Sequence, residues 1–387
     1  MTKQAFLIDA VRTPFGKADT QKGIFRNVRA EELVATCIEA IVRRTAIPLE
    51  FVEEVTLGCV QQTKEQGFNI ARVASLIGGL PPSIGATTVN RLCGSSLQAI
   101  NQASHAIKAG AEELHFVGGV EHMGHLPMTY GVDLHPRLFA TTSRGAMLMG
   151  VTAEYLAQTR GISRKRQDEY ALHSHQKAVS ARKAGLFDNE VIPTYGHNRD
   201  GLKEAVTDDQ CVREETSIEQ LASLEPAFMQ RGGTVTAGNS SPLNDGASLL
   251  LMTSQEKADE IGLRPRAKVV QTASVGIEPA LMGLGPVLAV KKLLAKTNLS
   301  LEQIGVIEIN EAFAAQVLSC LDELSYPPEK VNLYGGAIAI GHPLGASGGR
   351  LVTMLLNVME KQNVQYGIAT MCIGMGQGIA TLVELVN

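Results

Sequence analysis

The chain has 387 residues, more than one hydrophobic core ordinarily serves, so two or more domains are expected. Hydrophobic residues make up 44% and charged residues 19%, which excludes a disordered or fibrous protein, and a net charge of −4 argues against nucleic acid as a partner. No apolar run approaches the roughly 18 residues of a membrane helix, and the apolar run at the N-terminus is too short for a signal peptide.

A first strand is expected over 4–10, ended by the Pro14/Gly16 turn. A helix follows over Asn27 to Arg43, with Leu33, Val34, Cys37, Ile38 and Ile41 on one face. Val52 to Val60 reads as a strand, and Asn69 to Ile77 as a helix broken by Gly78-Gly79 and Pro81-Pro82. Ala86-Thr87-Thr88-Val89 is a strand, and Leu97, Ile100, Ala103 and Ile107 recur at helical spacing after it. Leu114 to Val120 is a short buried strand. Strands alternating with helices in this way imply an α/β protein with parallel pairing through right-handed crossovers.

From Glu121 to Pro242 the pattern breaks. This stretch holds His122, His125, His135, His173, His175 and His197, helical patterns at Thr152–Thr159 and Ser163–Ala184 with Ser163 as N-cap, and much loop. It reads as an insertion. Leu249 to Met252 resumes the first unit, and a helix runs to Ile261. The second half is expected to hold strands at Lys268–Ser274, Ile304–Ile309, Gly367–Cys372 and Ile379–Leu385. Its expected helices are Val287–Thr297, Glu311–Leu324 and Leu351–Glu360. The two halves repeat one order of elements, as duplication would leave them. The domains are therefore set at 1–120 plus 243–264, 121–242, and 265–387.

The six cysteines (37, 59, 93, 211, 320, 372) have no paired spacing and read as reduced thiols of a cytoplasmic protein. Cys93 is singled out by its place in the sharp turn before a helix, where unpaired amides and the helix dipole favour a thiolate. A buried structural cysteine is the alternative there. Three further clusters fall at strand ends or before helices: Asn310-Glu311-Ala312-Phe313, Gly341-His342-Pro343-Leu344-Gly345, and Cys372-Ile373-Gly374. Ligands of open α/β sheets gather at such carboxyl ends.

These four motifs, with Asn90-Arg91-Leu92-Cys93-Gly94-Ser95-Ser96 first in order, resemble those of the thiolase family over essentially the whole chain. The segment Gly118 to His125 with Gly131-Val132-Asp133 resembles its degradative, complex-forming branch, the 3-ketoacyl-CoA thiolases of fatty-acid oxidation. The resemblance implies the thiolase fold: two similar βαβαβαββ domains in a five-layered α-β-α-β-α arrangement, with an inserted loop domain, forming a homodimer. It implies Cys93 as acyl carrier, Cys372 as acid and base, and His342 with Asn310 at one oxyanion hole. The amides of Cys93 and Gly374 would make the second. Coenzyme A is then a co-substrate, with no tightly bound cofactor. Ser241 would lie near its pantetheine arm, Met282 in the acyl pocket and Arg213 near the nucleotide. An association with a hydratase/3-hydroxyacyl-CoA dehydrogenase subunit is also implied.

Rival readings are a metal site at His122, His125 and His135, whose H-x-x-H spacing lacks a third ligand at a recognised interval, and a dinucleotide site at Gly374-x-Gly376-x-Gly378, which has no room for the following helix and strand. A biosynthetic acetoacetyl-CoA thiolase is the nearer alternative.

Overall fold

The structure, a computed structural model, describes residues 3–386. In chain order, β1 (Ala5–Arg12), β2 (Gly16–Lys17), α1 (Ala30–Thr45), β3 (Glu54–Gly58), α2 (Ile70–Ile77), β4 (Gly85–Val89), α3 (Ser95–Ala109) and β5 (Leu114–His122) build the first unit. The inserted stretch carries α4 (Met149–Arg160), α5 (Arg164–Lys183), β6 (Thr194–His197), β7 (Lys203–Val206) and α6 (Ile218–Ala222). The chain then returns through β8 (Asn244–Ser254) and α7 (Gln255–Ile261). The second unit is β9 (Ala267–Gly276), α8 (Gly285–Leu294), β10 (Val306–Ile309), α9 (Ala314–Leu324), α10 (Ala337–Ile340), α11 (Ser347–Gln362), β11 (Tyr366–Ile373) and β12 (Gln377–Leu385).

The strand order is β1-β8-β5-β3-β4 in the first unit and β9-β12-β11-β10 in the second. Position for position these are the same sheet. The counterpart of β4 is reduced to one bridge, Ile307 with Val331. The two sheets pair edge to edge over a short stretch, Phe6 with Lys268 and Leu7 with Ala267. Elsewhere α3 and α11 lie between them: α3 packs on β5 and β3, and α11 on β11 and β10 while also reaching β5 and β8. α1 covers the outer face of the first sheet at β8 and β5, and α8 that of the second at β12, β9 and β11. Five layers result. Strand β8 is buried along its whole length, because α1 and α11 flank it, which is why Leu249 to Met252 reads as an unbroken apolar run.

The expectation of parallel pairing holds only in part. β3 is parallel to β4 and β5, and β10 to β11, but β8, β9 and β12 pair antiparallel. Each sheet is closed by a strand that returns without a crossover helix: β8 after the insertion, β12 through the tight turn at 374–376. The insertion is not free-standing. α4 packs on α9, and α5 on α10 and α9, so it leans against the second unit. Ser163 caps α5 as expected, its hydroxyl accepting the Arg166 amide at 3.2 Å.

The central layer requires one close approach. Gly348, in the first turn of α11, lies against the start of α3, and a Cβ there would sit 2.4 Å from the Leu97 nitrogen. Backbone on both sides leaves nothing that can give way. Gly348→Ala should therefore cost about 2 kcal/mol or more, read as a lower urea midpoint. Gly276→Ala, whose Cβ would meet open space, should stay near the parent value.

Candidate active site

The turn that carries Cys93 is held by its own motif. Leu92 sits in the left-handed region at φ 46°, a strained conformation for a leucine. Asn90 accepts the Leu92 amide at 2.8 Å; Ser95 accepts the Arg91 amide at 2.9 Å and donates to the Leu92 carbonyl at 2.6 Å. The Ser96 hydroxyl accepts the Gly349 amide at 2.9 Å and so ties α3 to α11. Backbone amides of Gly374 and of Cys93 itself donate toward the Cys93 sulfur. Burial nevertheless wins: it pushes the thiol up to about 11. This corrects the expectation that the helix start leaves an ionised thiol. Cys93 rests as a thiol.

His342 is delivered to the same centre from the other unit. Gly341 turns the chain at φ 119°, and the His342 amide donates to Asn244 Oδ1 at 3.1 Å, at the start of β8. Its Nδ1 lies 2.5 Å from the Ser347 hydroxyl, which itself donates to the Pro343 carbonyl at 2.8 Å. The proton therefore sits on Nδ1, and Nε2 carries the lone pair. Asn310 Nδ2 donates to that Nε2 at 3.3 Å. Burial, with Arg350 adding to it, lowers His342 to about 3, so the imidazole is neutral near pH 7. Asn310 ends β10, and its amide donates to Thr370 of the neighbouring β11 at 3.0 Å. Two residues further along β11 is Cys372, buried, its thiol raised well above the ordinary range by burial and by Cys93. A hydrogen-bonded His342–Asn310 pair, Cys372 on the adjoining strand and a strained Cys93 turn thus occupy one centre between the sheets.

The Thiolase, N-terminal domain family matches residues 5–256 and the Thiolase, C-terminal domain family residues 263–385. Proteins called 3-ketoacyl-CoA thiolase from Escherichia coli O139:H28 and from Aliivibrio fischeri are each 52% identical to the chain; 99% of it is covered, with 100% and 99% of the two relatives. Two solved structures superpose throughout. Bacillus anthracis acetyl-CoA acetyltransferase does so at a TM-score of 0.90 and 36% identity, covering 100% of this chain and 99% of that one. Human mitochondrial 3-ketoacyl-CoA thiolase does so at 0.91 and 35%, covering 99% of each. The chain belongs to the thiolase family.

In this thiolase Met282 is buried in the same apolar cluster as Cys372, with Phe313 and Leu318. Ser241 is half-buried, and its amide donates to the Ala312 carbonyl at 3.0 Å, which sets the 237–241 turn against the Asn310 segment. Arg213 is exposed on the inserted stretch, where its amide donates to His175, and no described contact joins it to the catalytic group. The run Gly374 to Gly378 is the turn between the antiparallel β11 and β12, not a strand-to-helix corner.

The histidine cluster differs from its sequence reading. A third donor does stand beside His122 and His125: it is Glu65, while His135 instead caps the amide of Arg137. The rings of His122 and His125 stack at 3.7 Å. Their Nε2 atoms face the carbonyls of Phe25 and Arg26; His125 Nδ1 meets Glu65 at 3.0 Å, and His122 Nδ1 accepts the His125 amide at 3.1 Å. All four ring nitrogens are thereby engaged, the two Nε2 atoms with the segment before α1, His125 Nδ1 with Glu65 and His122 Nδ1 within its own turn.

Spacing also missed the polar supports of the site. Glu121 takes the amides of Val60, Gln61 and Gly345, pinning the His342 loop to β3. Glu311 takes Tyr170, Ser174, Asn332 and the Ile338 amide. Both stand in stretches the sequence singles out, Glu121 within 118–125 and Glu311 beside Asn310, but nothing in their spacing gives them a supporting role.

Alkylation of Cys93 by iodoacetamide in the free enzyme should rise about tenfold per pH unit from neutrality to about pH 10. Rates followed on the Cys93 peptide test this, and a plateau between about pH 6 and 8 would contradict the thiol assignment.

Proposed function

We propose that this thiolase cleaves 3-ketoacyl-CoA with coenzyme A to acetyl-CoA and a shortened acyl-CoA, as an acetyl-CoA C-acyltransferase of fatty-acid β-oxidation. The observation that carries the reading is the His342–Asn310 pair with its lone pair on Nε2, beside two thiols that burial keeps protonated. His342 takes the Cys93 proton, and the sulfur attacks the 3-keto carbon. The bond between C2 and C3 breaks. Its electrons leave as the enolate of acetyl-CoA, which Cys372 protonates, and the acyl group stays on Cys93. Incoming CoA then gives its thiol proton to Cys372, and its sulfur displaces from the acyl group the Cys93 sulfur, which takes its proton back from His342. A thiol suits both proton transfers, since carbanion and thiol chemistry span the range where cysteine ionises.

His342 and Asn310 serve the enolate oxygen, and the amides of Cys93 and Gly374 the oxygen at the tetrahedral carbon. Such donors are commonly worth about 3 kcal/mol each. Met282, beside Cys372, fits an acyl-pocket role; Ser241 fits the pantetheine arm, and Arg213 an outer position at the nucleotide end. No metal or tightly bound cofactor enters this scheme. A homodimer is part of the reading: Phe68 is fully exposed in a left-handed conformation, Leu76 and Ile77 on α2 are about half exposed, and the outer edge of β4 has no strand partner among the described residues. A second copy of the chain would cover all three. Cytoplasmic location is supported by the six free cysteines, and a complex with a hydratase/3-hydroxyacyl-CoA dehydrogenase subunit by the resemblance of the 118–133 segment to the degradative branch. No helix among the described residues is long and apolar enough to cross a membrane.

The second reading, a biosynthetic acetoacetyl-CoA thiolase, shares every catalytic residue and is favoured by the superposition on the acetyl-CoA acetyltransferase. Thiolysis rates on four-carbon and long-chain 3-ketoacyl-CoAs separate the two. Cleavage across chain lengths is expected, and cleavage of the four-carbon substrate alone would overturn the fatty-acid assignment.

A further inference from the structure

We propose that Arg350, with Glu308 behind it, is a positioning residue of the thiolase reaction: its guanidinium fixes the orientation of the Asn310 carboxamide and thereby the lone pair on His342 Nε2. Arg350 lies in the first turn of α11, fully buried, as is Glu308 on β10. A buried arginine is expensive and is ordinarily met by several oxygen acceptors. Here Arg350 has one among the described residues: its Nη2 donates to Asn310 Oδ1 at 3.1 Å. Its other hydrogen bond goes to the sulfur of Met354 at 3.5 Å, and its Nε has no protein acceptor. Glu308 stands 4.0 Å away, too far to bond, and burial raises its carboxyl to about 8 in spite of the nearby guanidinium. A guanidinium placed for stability alone would be expected to take that carboxylate as a bidentate partner. This one spends its directed hydrogen bond on the catalytic amide.

The consequence is directional. An asparagine carboxamide can flip, since its two ends have nearly the same shape. Arg350 can only donate, so the end facing it must be Oδ1. Nδ2 must then face His342 Nε2, where it can only donate, and the imidazole proton is confined to Nδ1, toward Ser347. One residue thus sets the amide and the tautomer, and Nε2 takes the Cys93 proton on the lone pair that the long 3.3 Å bond from Asn310 gives up. The positive charge of Arg350 also acts with burial to keep His342 uncharged. Glu308, whose carboxylate oxygens meet no hydrogen-bond partner among the described residues, does not compete for the fork.

This inference rests on the thiolysis scheme above, and a double-mutant cycle separates failure of the one from failure of the other. The variants are Asn310→Ala, Arg350→Met and the double variant, each checked for folding by far-UV circular dichroism and assayed for kcat and KM of both substrates. Asn310→Ala should lower kcat about 100-fold. Arg350→Met should lower kcat about tenfold or more, with KM changed by less than about threefold. In the Asn310→Ala background, Arg350→Met should cost less than about threefold, because the amide it orients is gone. Loss of the same factor in both backgrounds would mean a merely structural role and would overturn the proposal, as would an Arg350→Met enzyme with kcat near the parent value. An Asn310→Ala enzyme of full activity would overturn the catalytic scheme and this inference together. If Arg350→Met does not fold, Arg350→Lys takes its place in the cycle: it keeps the charge and one donor, and should recover part of kcat in the parent background only.

Discussion

Two helix starts meet at the centre of this molecule, and the site depends on their meeting. α3 comes from the first unit and α11 from the second; the Ser96 hydroxyl accepts the Gly349 amide, and Gly348 lets the backbones approach closer than any side chain would allow. Cys93 precedes one helix and His342 precedes the other. Neither unit alone holds both groups. The duplicated sheet order makes this possible, because equivalent strand ends in the two units converge on the layer between them.

Around that contact the chain stores polar groups where water would ordinarily be needed. Glu121 and Glu311 are buried carboxylates fed by backbone and side-chain donors from several elements, and they fix the loops that carry His342 and Asn310. Such fully satisfied networks are rigid, since losing any one donor leaves a buried charge short of a partner. The same low-polarity surroundings raise both thiols and lower the imidazole. Before substrate arrives the two thiols and the imidazole are therefore uncharged, and charge forms on them only as proton transfer and bond formation proceed.

Much of this is legible in the chain. Strand and helix positions follow from apolar period, and Cys93, Asn310, His342 and Cys372 each stand at a strand end or before a helix, where residues of no packing value have reason to be placed. The antiparallel closure of both sheets is not legible, because a buried antiparallel strand such as β8 has the same continuous apolar run as a parallel one. Nor is the state of Cys93: a helix start argues for a thiolate, and only the density of the fold shows that desolvation outweighs it. Glu65 is invisible beside His122 and His125 for a related reason. It stands 57 residues before His122, and only the fold of the sheet brings the two together.

The central claim is that Cys93 carries the acyl group while Cys372 handles protons. Mixing the enzyme with a 3-ketoacyl-CoA in the absence of free CoA and locating the adduct by peptide mass spectrometry tests it most directly. The account predicts an acyl group two carbons shorter than the substrate chain, on the Cys93 peptide, and its release when CoA is added. An adduct on Cys372, or one that retains the full 3-ketoacyl chain, would contradict it.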